Sequence, residues 1–109
     1  MSEITTQVVE ELLSSDITFY RLENFVRKYG VANAYKVDFG ESYKSVIEKA
    51  WEVVNKKFLN LHCEQESLTT NDILAAMEFD LVILPYTGVS FDKRKEFYVW
   101  CFEYIIKTQ

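Results

Sequence analysis

The middle of the chain carries an apolar residue at every third or fourth position from Tyr43 to Leu61. This spacing places the apolar side chains on one stripe of an α-helix, because the helix repeats about every 3.6 residues. We expect a helix of about twenty residues that opens at Asp38 or Gly40. One such helix cannot bury its own apolar stripe, so other helices must pack against it.

The rest of the chain also favours helices, whose starts are marked by capping residues. The predicted starts lie near Ser2, after Ser15 or Asp16, at Thr70 behind a capping box of Thr69 and Asp72, and after Ser90. Only three glycines and one proline interrupt the 109 residues. The sequence therefore predicts a mainly α fold, a single compact domain spanning residues 1–109 with about five helices.

Two short segments are also compatible with β-strands. Apolar and polar residues alternate from Tyr35 to Phe39, as they do in a half-buried strand. The apolar run from Leu81 to Leu84 either continues the fourth helix to Pro85 or forms a short buried strand. We favour the helix for this run, and an α+β fold is the alternative.

The last predicted helix is apolar on nearly every side. From Phe97 to Ile106, Glu103 is the only polar residue apart from the hydroxyls of two tyrosines. A helix of this kind must be covered on most of its surface. It is either the central element of a bundle or part of an interface with a partner, and the sequence leaves both open.

The charge of the chain restricts its partners. The net charge is −5, with 17 acidic residues against 12 basic ones. Affinity for nucleic acid comes from lysine and arginine that neutralise phosphates, so we expect no direct nucleic-acid binding. A basic protein is the expected partner, and a homodimer is the other option.

The acidic residues are concentrated in one stretch without a cation. Between Lys57 and Lys93 there is no lysine or arginine, and a block of one sign suits contact with a basic surface. The predicted partner-binding residues are Glu64, Glu66, Asp72, Glu78, Phe79, Asp80 and Asp92. We expect reversal of Glu78 and Asp80 to lysine to weaken partner binding while the fold changes little.

Catalytic and metal-binding patterns are weak. His62 and Cys63 lie beside Glu64 and Glu66, but tetrahedral zinc needs four ligands, and the residues adjacent to Cys101, the only other thiol, are not ligands. Adjacent residues on a helix also point about 100° apart, so His62 cannot activate the Cys63 thiol. We therefore predict no catalytic residues, no metal, no cofactor and no enzyme activity.

The expected compartment follows from the cysteines and the N-terminus. The chain begins without a basic segment or a long apolar run, so we predict no secretory signal. Cys63 and Cys101 are then expected to be free thiols in a reducing cytoplasm. No stretch of about eighteen apolar residues is present, so no membrane span is predicted.

These observations favour protein binding over catalysis. The functional hypothesis is a small acidic, non-enzymatic protein that occludes a basic surface of another macromolecule, as inhibitors or immunity-type proteins do. A nucleic-acid enzyme is one expected target. The alternative is a structural or regulatory subunit that forms a homodimer through its aromatic C-terminal helix.

Overall fold

The computed structural model describes residues 4–31 and 41–108, with the side chains of residues 41 and 42 left out. In these ranges the chain forms helices and no strand, which confirms the predicted mainly α fold. The helices are α1 (Thr6–Leu13), α2 (Phe19–Tyr29), α3 (Glu41–Phe58), α4 (Thr70–Thr87) and α5 (Phe91–Thr108). The radius of gyration is 13.3 Å, as expected for a compact chain of this length.

The helix starts follow local capping chemistry. Thr69 accepts a hydrogen bond from the Asp72 amide at 3.1 Å, and the Asp72 carboxylate accepts one from the Thr69 amide at 2.9 Å. The predicted capping box of α4 is thus confirmed. The cap of α2 was predicted wrongly, because Thr18 accepts from the Arg21 amide and caps the helix in place of Ser15 or Asp16. Helix α1 also starts later than predicted, after Thr5 rather than near Ser2.

The fourth helix continues through the segment that was compatible with a strand. Residues 81–84 lie inside α4, so the strand alternative for them is wrong. Pro85 falls in the last turn, where one lost backbone hydrogen bond is tolerated, and Gly88 ends the helix with a φ of 74°. The other possible strand, Tyr35 to Phe39, lies outside the described residues.

The core is built around α4, which has eight buried residues and packs against α2, α3 and α5. Helix α5 packs against it. Its inner face is fully buried and packs on aromatic residues of α2 and α3: Phe102 lies 5.2 Å from Phe25, and Phe97 lies 5.4 Å from Phe58, between ring centroids. The fully buried residues of this helix are Phe97, Tyr98, Cys101, Phe102 and Ile105. In the described part of the chain, no helix has the length and apolar character needed to cross a membrane.

Candidate functional site

Asp80 is a buried carboxylate that joins three helices. Its side chain in α4 accepts hydrogen bonds from Trp51 of α3 at 2.8 Å and from Arg94 of α5 at 2.7 and 3.3 Å. The Tyr98 hydroxyl also donates to it. Only 2% of Asp80 is exposed. Burial and the hydrogen bond to Asp80 raise the pKa of Tyr98 far above its ordinary value, so the phenol stays protonated and keeps donating.

Glu78 is a second buried carboxylate, on another side of α4. It accepts a hydrogen bond from the Val31 amide at 2.7 Å and one from the Tyr43 hydroxyl at 3.1 Å, and 5% of the residue is exposed. Burial, together with the nearby Glu78 charge, raises the pKa of Tyr43. Glu78 therefore binds the end of α2 and the start of α3 to α4.

These positions correct the predicted acidic surface. The expectation that Glu78 and Asp80 are exposed and can be reversed without harm to the fold is wrong. Each carboxylate is held by donors from other elements, and a lysine at either position would bury a cation among hydrogen-bond donors. Phe79, between them in sequence, is half-buried, and its ring centroid lies 5.6 Å from that of Trp51.

Asp72 and Asp92 lie at opposite ends of α4. Asp72 is in the first turn, where its carboxylate completes the capping box and also accepts from Gln65 at 3.4 Å. Asp92 follows the far end of α4 and lies 3.4 Å from Lys95. Helix α4 has 18 residues, which corresponds to about 27 Å. The seven predicted residues therefore do not form one face.

The acidic loop, defined as residues 59–66, carries both exposed carboxylates and exposed aliphatic side chains. Glu64 and Glu66 are exposed, and the exposed fractions of Leu59 and Leu61 are 51% and 57%. Lys57 bends over this loop, and its ammonium donates to the Glu66 carbonyl oxygen. The cation compensates part of the local negative charge but leaves both glutamate side chains facing solvent.

A Schellman motif at the end of α3 produces this exposure. Asn60 has a φ of 59°, in the left-handed region. The Asn60 amide donates to the Lys57 carbonyl at 3.1 Å, and the Leu61 amide donates to the Lys56 carbonyl at 2.9 Å. The helix therefore stops at Phe58, and Leu61 does not belong to the apolar stripe in which the spacing had placed it. The two leucines are the candidate contact residues that sequence reasoning missed.

A cleft of about 320 Å³ lies between α3 and α4, next to the acidic loop. Its apolar lining includes Val46, Ala50, Val53, Leu68 and Ala75, and its polar lining is Lys49, Gln65, Asn71 and Asp72. Gln65 belongs to the acidic loop, so the cleft and the loop form one continuous surface. The volume is near the lower end of the range for ligand pockets, about 300–1,000 Å³.

Two of the sequence candidates for chemistry, the Cys101 thiol and a metal cluster, can be assessed in the described ranges. Cys101 is fully buried, and burial raises the pKa of its thiol well above the ordinary value, which opposes formation of a nucleophilic thiolate. Within residues 4–31 and 41–108, no group of three or more His, Cys, Asp or Glu side chains is arranged to hold a metal ion.

Comparisons with protein-family models, with curated proteins and with solved structures find no match to this chain.

Proposed function

We propose that the protein is a non-catalytic binding domain that occludes a basic surface of a protein partner through its acidic loop. The observation that carries the proposal is the exposure of Leu59 and Leu61 in the same short loop as the exposed Glu64 and Glu66. Apolar side chains supply contact area that is removed from water on binding, while nearby carboxylates favour a cationic partner. An inhibitor or immunity-type role is the form of this activity that the proposal implies.

The net charge supports a basic partner over nucleic acid. A net charge of −5 repels phosphate and accelerates encounter with a positively charged surface. The glutamates contribute most during approach, because exposed charges are screened by salt. The leucines contribute most after docking, because their share of the binding free energy comes from the removal of apolar surface from water.

The proposal includes no chemical step and no cofactor. Glu78 and Asp80 are the buried acids of the described chain, and both accept internal hydrogen bonds that hold helices together. Such fully used carboxylates act in folding, whereas a general acid or base must reach a substrate. Cys63 and Cys101 are both unpaired, which suits the cytoplasm, where we propose that the protein acts.

The test compares two charge-reversal variants with the same net charge. In the first, Glu64 and Glu66 of the acidic loop become lysine; in the second, the exposed Glu10 and Glu96 of α1 and α5 become lysine. Partners captured from a lysate of the native host by the unmodified protein are identified, and their binding is then measured across salt concentrations. We expect the loop variant to bind at least about tenfold more weakly, or about 1.4 kcal/mol.

The distant variant should lose much less affinity, because its reversed charges lie outside the proposed contact. Equal losses in both variants would show that only net charge matters. Unchanged binding of the loop variant would remove the acidic loop as the contact surface.

The second candidate function is homodimerisation through the outer face of α5. Trp100, Tyr104 and Ile106 are half-buried there, and Glu103 and Lys107 flank them around a surface cleft of about 290 Å³. An antiparallel pair of such helices related by a two-fold axis could place each Glu103 near the Lys107 of the other copy. This complementarity of charge is the observation that favours the dimer.

A further inference from the structure

We infer that the cleft between α3 and α4 receives an aliphatic side chain from an amphipathic helix of the partner, whose basic residues meet the acidic loop. This inference rests on the proposed function and specifies the kind of partner segment that the surface fits. The occupant is a helix with leucine or isoleucine on one face and lysine or arginine beside that face.

The shape of the cleft supports an apolar occupant. Ala50 of α3 and Ala75 of α4 both line it, and their small side chains leave a depression between the two helices. Val46 and Val53 supply further apolar lining. The groove between two packed helices is a common docking position for a third, amphipathic helix. The volume of about 320 Å³ suits one or two side chains rather than a large cofactor.

The charges around the cleft determine which sign of charge the occupant should carry. Asp72 lines the cleft, and Glu64 and Glu66 lie on the adjoining loop. These three carboxylates favour a cationic segment over an anionic one. Lys49 of α3 is the one cation that lines the cleft in the described structure, and it opposes such a segment. Its removal should therefore improve binding.

The probe is a synthetic amphipathic peptide of about fourteen residues, or four helical turns, with leucines on one face and lysines elsewhere. Its affinity is measured by fluorescence anisotropy for Lys49→Glu and for Lys44→Glu. Both lysines are exposed on α3 and both variants have the same net charge, but only Lys49 lines the cleft. We expect Lys49→Glu to bind the peptide about two- to fivefold more tightly than Lys44→Glu. Thermal unfolding of both variants is measured alongside, so that the comparison is made between folded proteins.

Nuclear magnetic resonance locates the peptide independently. Amide signals of Val46, Ala50 and Ala75 should shift on titration, while those of Val82 and Tyr86 on the exposed side of α4 should not. Equal affinities of the two lysine variants, or shifts confined to other residues, would overturn the cleft assignment. The proposed function is tested separately with the captured partner: if that partner needs the acidic loop while the two lysine variants bind the peptide equally, only the cleft assignment fails.

Discussion

Gly30 is required for space and not for an unusual backbone conformation. The sequence places it just after α2, where glycine commonly adopts a left-handed conformation. Its φ of −66° and ψ of 164° are instead accessible to any residue. A Cβ atom at this position would lie 2.6 Å from a carboxylate oxygen of Glu78 and would overlap the Val26 carbonyl oxygen. The buried Glu78 thus makes glycine necessary at the end of α2.

We expect Gly30→Ala to lower the free energy of unfolding by at least about 2 kcal/mol, because the added methyl group overpacks a site closed by backbone atoms. Gly88→Asn is the control. Gly88 has a positive φ and open space around its Cβ position, and asparagine tolerates the left-handed conformation. Urea denaturation of both variants is the measurement, and a Gly30→Ala variant as stable as the control would contradict the packing at Glu78.

The buried hydroxyl of Tyr98 predicts a pH dependence of stability. Because its pKa is raised in the folded protein, unfolding releases a proton at any pH above the unfolded value of 10.0. The stabilisation is complete below that pH and falls as the pH rises further. In Tyr98→Phe this contribution is absent.

We expect Tyr98→Phe to be less stable than the unmodified protein by about 1–3 kcal/mol at pH 7, from the lost hydrogen bond to a charged group. The difference in free energy of unfolding between the two proteins should become smaller above about pH 10. Urea titrations at pH 7, 9 and 10.5 measure it. A difference that is constant with pH would show that the phenol is not held protonated by its surroundings.

At the scale of the helices, the starts were predictable where a cap and two apolar residues coincide. The α4 start was predicted from the capping box of Thr69 and Asp72, and an apolar pair also brackets that cap. The same spacing, an apolar residue just before the cap and another five positions later, occurs at all three helices with a threonine cap. The pairs are Ile4 and Val9 in α1, Ile17 and Leu22 in α2, and Leu68 and Ile73 in α4. This spacing would have selected Thr18 over Ser15 and Asp16.

The burial of Glu78 and Asp80 could not be predicted from charge counting, because their donors are far away in sequence. Val31, Tyr43 and Trp51 precede them by 29–47 residues, and Arg94 and Tyr98 follow Asp80 by 14 and 18. One local signal was present. Apolar residues surround both acids on all sides of α4, and a charge in such a helix must find partners inside the fold.

We expect Asp80→Ala to cost about 3–5 kcal/mol of stability, because Arg94, Trp51 and Tyr98 would lose their common acceptor. This is a large part of the total free energy of unfolding of a domain of this size, which is about 5–15 kcal/mol. The control is Glu66→Ala in the acidic loop, whose exposed side chain should contribute less than about 0.5 kcal/mol. Urea denaturation measures both, and similar small losses would show that the Asp80 network does not hold the helices together.

At the scale of the whole molecule, the sequence predicted a mainly helical fold and showed an excess of acidic residues, but it did not show which of those residues lie on the surface. Glu64 and Glu66 were identified in the cation-free stretch and are exposed. Leu59 and Leu61 were missed because the apolar spacing extends beyond Phe58, where the backbone at Asn60 ends the helix. The cleft between α3 and α4 depends on tertiary packing and left no local pattern to find.

The last prediction concerns the number of copies in solution. A stable dimer buries about 800 Å² on each partner. The side chains best suited to this on α5, Phe97, Tyr98 and Phe102, are already buried within one copy. The half-buried strip around Trp100 is short, so we expect the protein to be a monomer at micromolar concentration. Analytical ultracentrifugation measures its mass, and the Lys107→Glu variant is the comparison. If the unmodified protein has twice the monomer mass and Lys107→Glu has the mass of one copy, this expectation is refuted and the dimer of α5 helices is favoured. In that variant, like charges at Glu103 and position 107 would repel across the interface.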